Sequence, residues 1–137
     1  MNKLNWLFLM FLSFAFVACD DDDEEVDLDV TAPTITISSP TANAVFAPGD
    51  VMEFRANVTD DQGLENIKVW VTNPSGTTSE IENDDISDFL NDNKQKDLNV
   101  DITLPAEAPE GAYVITVEAT DEQGNNAEES VTVSVTP

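Results

Sequence analysis

Between Val30 and Pro137 apolar residues recur at every second position in short runs, and each run stops at proline, glycine, asparagine or aspartate. Thr34-Ile35-Thr36-Ile37 follows Pro33 and ends at Ser38-Ser39-Pro40, and a shorter run, Ala44 to Phe46, closes at Pro48-Gly49-Asp50. Met52, Phe54, Ala56 and Val58 alternate with Glu53, Arg55 and Asn57, which is the signature of a strand with one face buried and one wet. Asp60-Asp61-Gln62-Gly63 turns the chain into Ile67, Val69 and Val71. Leu98, Val100, Ile102 and Leu104 resume the period of two up to Pro105. Tyr113, Ile115, Val117 and Ala119 carry it on after Gly111, and Val131, Val133 and Val135 form the last strand. The pattern predicts about seven short strands and no long helix.

Strands of this number and spacing, in about 107 residues, predict an all-β, immunoglobulin-like Greek-key sandwich over 31–137. Tyr113, near the start of the penultimate strand, fits a tyrosine corner, its hydroxyl capping backbone across the preceding turn. A buried Tyr in another β-fold is the alternative. One stretch breaks the alternation. Asn73-Pro74-Ser75-Gly76 is a turn, Thr77 to Glu82 reads as a returning edge strand, and Asp84 or Asp85 is placed to cap a short helix on which Ile86, Phe89 and Leu90 share a face. A short irregular or helical insertion is therefore expected near 73–97. Trp70 falls on the strand face opposite Ile67, Val69 and Val71. It is either an exposed platform for stacking on a sugar ring, with Phe89 as a second aromatic, or a residue covered by the insertion.

The first 30 residues are of another kind. Residues 1–18 combine Lys3 with the apolar run Trp6 to Ala18, which fits a signal peptide and is short for a membrane span. Cys19, the one cysteine, follows Phe16-Val17-Ala18. The bulky Phe16 suits a lipobox better than a simple secretory cleavage site, so the stretch resembles a bacterial lipoprotein signal. That resemblance implies a lipidated Cys19 as a membrane anchor, since several acyl chains at ~0.8 kcal/mol per buried methylene hold durably. An ordinary thiol near a cleavage site is the alternative. Residues 20–29, DDDDEEVDLD, hold eight of the 28 acidic residues and predict an extended tether, so that 19–30 links anchor to domain. An acidic run directly after such a cysteine also resembles the surface-export signal of Bacteroidota lipoproteins, which implies an outer-membrane, cell-surface location.

Charge narrows the partners further. Val30 to Pro137 carries 20 acidic and four basic residues, a formal charge of −16. Such a domain is a poor match for nucleic acid or anionic membrane surfaces and a good one for cations or basic partners. The chain has no histidine, which removes the usual general base and the histidine-containing triads and zinc sites. Carboxylate pairs alone are expected by chance in so acidic a domain, so no enzymatic activity is expected. With a single cysteine, no disulfide within the chain is available to hold the sandwich.

Two phrases nearly repeat: Val58-Thr59-Asp60-Asp61-Gln62-Gly63 and Ala119-Thr120-Asp121-Glu122-Gln123-Gly124. In an immunoglobulin-like sandwich they occupy the B–C and F–G loops, which lie at one end, where Asp27 to Pro33 also arrives. Asp29, Asp60, Asp61, Asp121 and Asn125 would then offer hard oxygen ligands suited to calcium. Aspartate caps with glycine at positive φ also make good turns, and the sequence leaves both readings open. Asp27 to Ile35, Thr59 to Gly63 and Thr120 to Asn125 resemble the linker, B–C and F–G calcium motifs of cadherin-type and bacterial immunoglobulin-like adhesin repeats, though without the full Asp-x-Asn-Asp linker. The resemblance implies a calcium-stabilised surface module that adheres to or interacts with a protein partner. The alternative is an accessory glycan-binding lipoprotein of a polysaccharide-uptake system, using Trp70 and Phe89.

Overall fold

The computed structural model describes residues 28–87 and 93–137. The expected signal peptide, Cys19, Phe89 and most of the expected tether lie outside the described residues. Among the described residues eight strands form two sheets. The first sheet runs in the order β1 (Thr34–Ser39), β3 (Val51–Thr59), β6 (Gln95–Thr103). The second runs β2 (Val45–Phe46), β8 (Asn126–Val135), β7 (Gly111–Asp121), β4 (Leu64–Thr72), β5 (Thr78–Glu80). All pairings are antiparallel except the short β2–β8 contact. The first edge of the chain therefore changes sheets, pairing with β3 through β1 and with β8 through β2. This is an immunoglobulin-like sandwich.

Alternation dictates which side chains fill it. Met52, Phe54, Ala56 and Val58 on β3 and Leu98, Val100 and Ile102 on β6 are buried on one inner face. Val69, Ile115, Val117, Val131 and Val133 supply the other. Tyr113 is buried, and its hydroxyl donates to Pro109 O at 3.1 Å, four residues upstream. The corner before β7 is thereby tied to the strand that leaves it.

The sequence pattern and the structure differ at the β7–β8 bounds and at the cap of the short helix, and agree on the face that Trp70 takes. β7 continues through Asp121 and β8 begins at Asn126, earlier than Val131 suggests, because Glu128, Glu129 and Ser130 are all exposed and hide the alternation. The short helix α1 (Asp84–Ser87) is capped by Asn83, whose Oδ1 accepts from the Asp85 N–H at 2.8 Å, rather than by Asp84 or Asp85. Those two carboxylates sit instead in the first turn, where the helix dipole favours negative charge. Trp70 is half-buried on the outer face of the five-stranded sheet, in register with Glu80 on β5 and Thr116 on β7.

Core packing and surface exposure along β3 separate cleanly. Phe54 is fully buried whereas Val51, three residues away, is 52% exposed. Phe54→Ala is expected to destabilise by about 3–5 kcal/mol, and Val51→Ala by less than about 0.5 kcal/mol. Urea unfolding of both variants checks this, and equal losses would be incompatible with the packing described.

Candidate metal centre

The register of the sheets brings the β3–β4 loop and the β7–β8 loop to one end of the sandwich. Glu122 N–H donates to Gly63 O at 3.1 Å and joins them. Each loop is shaped by its first aspartate. Asp60 Oδ1 accepts from the N–H groups of Gln62 and Gly63 at 2.9 and 2.8 Å. Asp121 Oδ1 accepts from those of Gln123 and Asn125 at 2.9 and 2.7 Å. The near-repeat in sequence is thus a repeat of one device, a carboxylate oxygen folding the next turn onto itself. Gly63 sits at φ 148°, beyond what a side chain accepts comfortably, and a Cβ there would stand 3.2 Å from Glu122 Cδ.

The segment before β1 reaches the same place. Asn125 Nδ2 donates to Asp29 O at 3.0 Å and to Asp121 Oδ2 at 2.7 Å, while Asp29 Oδ1 accepts from Thr31 N–H at 2.9 Å. Asp29, assigned by sequence to the tether, is in this way tied to the domain. Carboxylate oxygens of Asp29, Asp60 and Asp121 lie within 4.8 Å of one another. Asp121 is fully buried and Asp60 is 8% exposed.

Burial pushes the Asp121 carboxyl up, but hydrogen bonds from the Asn125 side chain and from the backbone of Asn125, Gln123 and Gly124 outweigh it and hold the pKa below the ordinary 3.8. The carboxylate is therefore built to stay charged. Among the described residues no lysine or arginine forms an ion pair with any of the three. Like charges this close repel by on the order of a few kcal/mol per pair at an effective dielectric near 20.

Two oxygens carry the metal argument. Asp29 Oδ2 and Asp60 Oδ2 are buried and have no hydrogen-bond partner. Buried acceptors are almost always satisfied, and a charged one left alone costs still more. Each aspartate spends one oxygen on backbone N–H groups; in Asp29 and Asp60 the other is left without one. A hard divalent cation fits this donor set, with Asp29, Asp60 and Asp121 as ligands. A groove of about 370 Å³ lined by Thr31, Thr59, Asp60 and Asp61 meets the cluster at Asp60.

A family model described as "Domain of unknown function (DUF4625)" matches residues 17–136. The chain belongs to that family. None of the curated proteins compared with this DUF4625 chain matches it. Among solved structures it is similar to a fibronectin(III)-like module of CbhA from Clostridium thermocellum, with 24% identity over 74% of this chain and 94% of that one and a TM-score of 0.47. It is also similar to a Niemann-Pick type C2 protein from the Japanese carpenter ant, with 11% identity, 75% and 89% coverage and a TM-score of 0.51. A DUF4466 family protein from Parabacteroides merdae matches with 18% identity, 75% of this chain, 44% of that one and a TM-score of 0.51. At these identities the likeness to the latter two concerns the fold alone.

Of the five ligands expected from sequence, the DUF4625 domain brings three together. Asp61 is exposed and outside the cluster, because Asp60 turns inward to cap the loop and its neighbour at the apex is left facing water. Asn125 is present at the site but faces it with N–H groups rather than an oxygen. What the sequence did not reveal is the division of labour between the two oxygens of each carboxylate. That depends on backbone N–H directions and not on spacing.

The capping role is separable from the charge. With a chelator present, Asp60→Asn keeps an Oδ1 acceptor and loses a repelling charge, so its melting temperature is expected to equal or exceed that of the unmodified chain. Asp60→Ala loses the acceptor and should be less stable by about 1–2 kcal/mol. The order Ala above Asn in a thermal melt would rule out the capping geometry.

Proposed function

We propose that this chain is a non-catalytic, lipid-anchored interaction module of the outer membrane, displayed at the cell surface and closed at its anchor-proximal end by calcium. The observation that carries the reading is the pair of buried, unpartnered oxygens, Asp29 Oδ2 and Asp60 Oδ2, within a cluster completed by Asp121. One ligand comes from the end of the expected tether and two come from loops of the domain, so an ion bound there would join anchor to module. Calcium suits the site better than magnesium because the donors are carboxylates on loops rather than a rigid octahedral set. A non-catalytic role is supported by the absence of histidine from the sequence and by the engagement of Asp60 and Asp121 in shaping their own loops. Cys19 as the anchor and the surface address rest on the lipoprotein resemblance of residues 16–29.

Calcium affinities of extracellular modules lie near 0.1–1 mM, so about 10 mM calcium should stabilise the fold by about 1.4–2.7 kcal/mol over chelator. Asp60→Asn should lose most of that gain. Calorimetry with chelator, magnesium and calcium in turn is the measurement, and a melt indifferent to calcium at constant ionic strength sinks the metal reading.

A second reading, glycan binding, is favoured by Trp70 alone, which is half-exposed on a sheet face beside Glu80 and Thr116. A glycan array comparing the unmodified chain with Trp70→Ala decides it. Signals that vanish in the variant support this reading, and a blank array, or signals that survive the substitution, discard it.

A further inference from the structure

The five-stranded sheet ends on β5 and the three-stranded sheet on β6, and a cleft opens between these two ends. β6 is nine residues long, contains no proline or glycine, and pairs with β3 along its whole length without a bulge. Among the described residues no strand takes its other edge.

The direction of its backbone groups follows from two hydrogen bonds at the ends of the ladder. Leu104 N–H donates to Asp50 O, and Asp60 N–H donates to Lys94 O. Antiparallel pairs alternate between bonded and non-bonded, so the even-numbered residues of β6 aim their N–H and C=O groups at β3. The odd-numbered residues Asp97, Asn99, Asp101 and Thr103 aim theirs outward, along the free edge. Their side chains lie on the wet face, while Leu98, Val100 and Ile102 face the core.

A strand laid along the Thr103 end of this edge would turn its inward side chains over the cleft. There, a cavity of about 260 Å³ is lined by Val71, Ile81, Ile102, Leu104 and Tyr113. α1 packs against both β4 and β6 towards the Asp60 end, so the edge stands clear towards the other end of β6, where the cavity lies. The added strand's remaining side chains would meet Asp97 and Asp101; Asp97 accepts from Asn57 Nδ2 at 2.6 Å, and Glu53, across from Asp101 on β3, is held by Arg55 at 3.4 Å, so the two β6 aspartates rather than Glu53 carry the row's charge. On a domain of formal charge −16 this row disfavours a second copy. In an antiparallel pair centred on Asn99 each Asp97 would stand opposite an Asp101, and like charges so placed are destabilising. A row of lysine or arginine is its complement.

We propose that β6 is the docking edge, and that it takes an extended segment of another protein in which apolar residues turned into the cleft alternate with lysine or arginine turned outward. This rests on the interaction-module reading and names its surface and partner. Backbone pairing supplies the affinity, and the cleft and the acidic row supply the choice of partner.

The test titrates the full chain, in detergent, with a peptide alternating valine and lysine and matched in length to β6, followed by amide hydrogen exchange and calorimetry. The peptide is expected to slow exchange of the Asp97, Asn99, Asp101 and Thr103 N–H groups. Glutamate in place of lysine should weaken binding by about tenfold or more. Asp101→Pro removes one outward N–H, leaves the β3 ladder intact and should abolish binding with little change in melting temperature. Should that variant fold poorly, a peptide N-methylated along the edge facing β6 tests the same bonds on the unmodified chain, and it too must fail to bind. Protection that maps to another surface overturns the β6 assignment and leaves the interaction-module reading standing. Equal binding by the acidic peptide, undiminished binding by a folded Asp101→Pro chain, no binding by any peptide, or dimerisation through β6 also overturns it.

Discussion

The inward-facing register of β3, β6, β7 and β8 is the constraint on which the remaining features rest. A strand's side chains alternate between faces, so sliding any of these four by one residue would exchange its buried valines, leucines or phenylalanine mostly for polar or charged residues. No disulfide can compensate, because the chain has one cysteine. The register therefore holds through burial alone, at about 1.5–3 kcal/mol for each large apolar side chain removed from water. Once β3 and β4, and β7 and β8, are fixed in this way, the ends of their connecting loops are fixed as well. Asp60 and Asp121 become neighbours although 61 positions separate them in the sequence.

That positioning gives the carboxylates a double role. In each loop one oxygen replaces the hydrogen-bonding partners that a tight turn cannot supply to its own backbone, and the charge follows into a region with little water. Asn125 moderates the result in the absence of an ion, its two N–H groups reaching Asp29 O and Asp121 Oδ2. An amide offers only partial positive charge, however, and it leaves Asp29 Oδ2 and Asp60 Oδ2 without partners. A divalent cation would satisfy both oxygens together and counter the mutual repulsion, which no rearrangement of these side chains achieves while all three remain ionised.

Much of this arrangement was legible before any coordinates. The alternation at Met52 to Val58, Leu98 to Leu104 and Tyr113 to Ala119 marks half-buried strands unambiguously, since a helix with the same residues would scatter them around its axis. The convergence of the loops followed from topology, and the recurring Thr-Asp phrase pointed to the residues. Asp61 stands outside the cluster although it follows a ligand directly, because sequence proximity says nothing about which way a turn aims consecutive side chains. The start of β8 was obscured by three exposed residues in a row, a pattern that two-residue periodicity does not register. The free edge of β6 had no signature at all, being a matter of which strands are neighbours rather than of what β6 contains.

The acidity of the domain acts differently at its two points of interest, and the difference separates them experimentally. Asp97 and Asp101 lie on an exposed strand face, where about 0.15 M salt screens interactions beyond roughly 8 Å and competes with any incoming lysine. Carboxylate oxygens of Asp29, Asp60 and Asp121 lie within 4.8 Å of one another, with Asp60 and Asp121 buried, a separation shorter than that screening length. Monovalent salt should therefore weaken attraction at the β6 edge while doing little for the carboxylate cluster, and a divalent cation should do the reverse. An effect common to both kinds of ion would belong to the diffuse charge of −16 and to neither place.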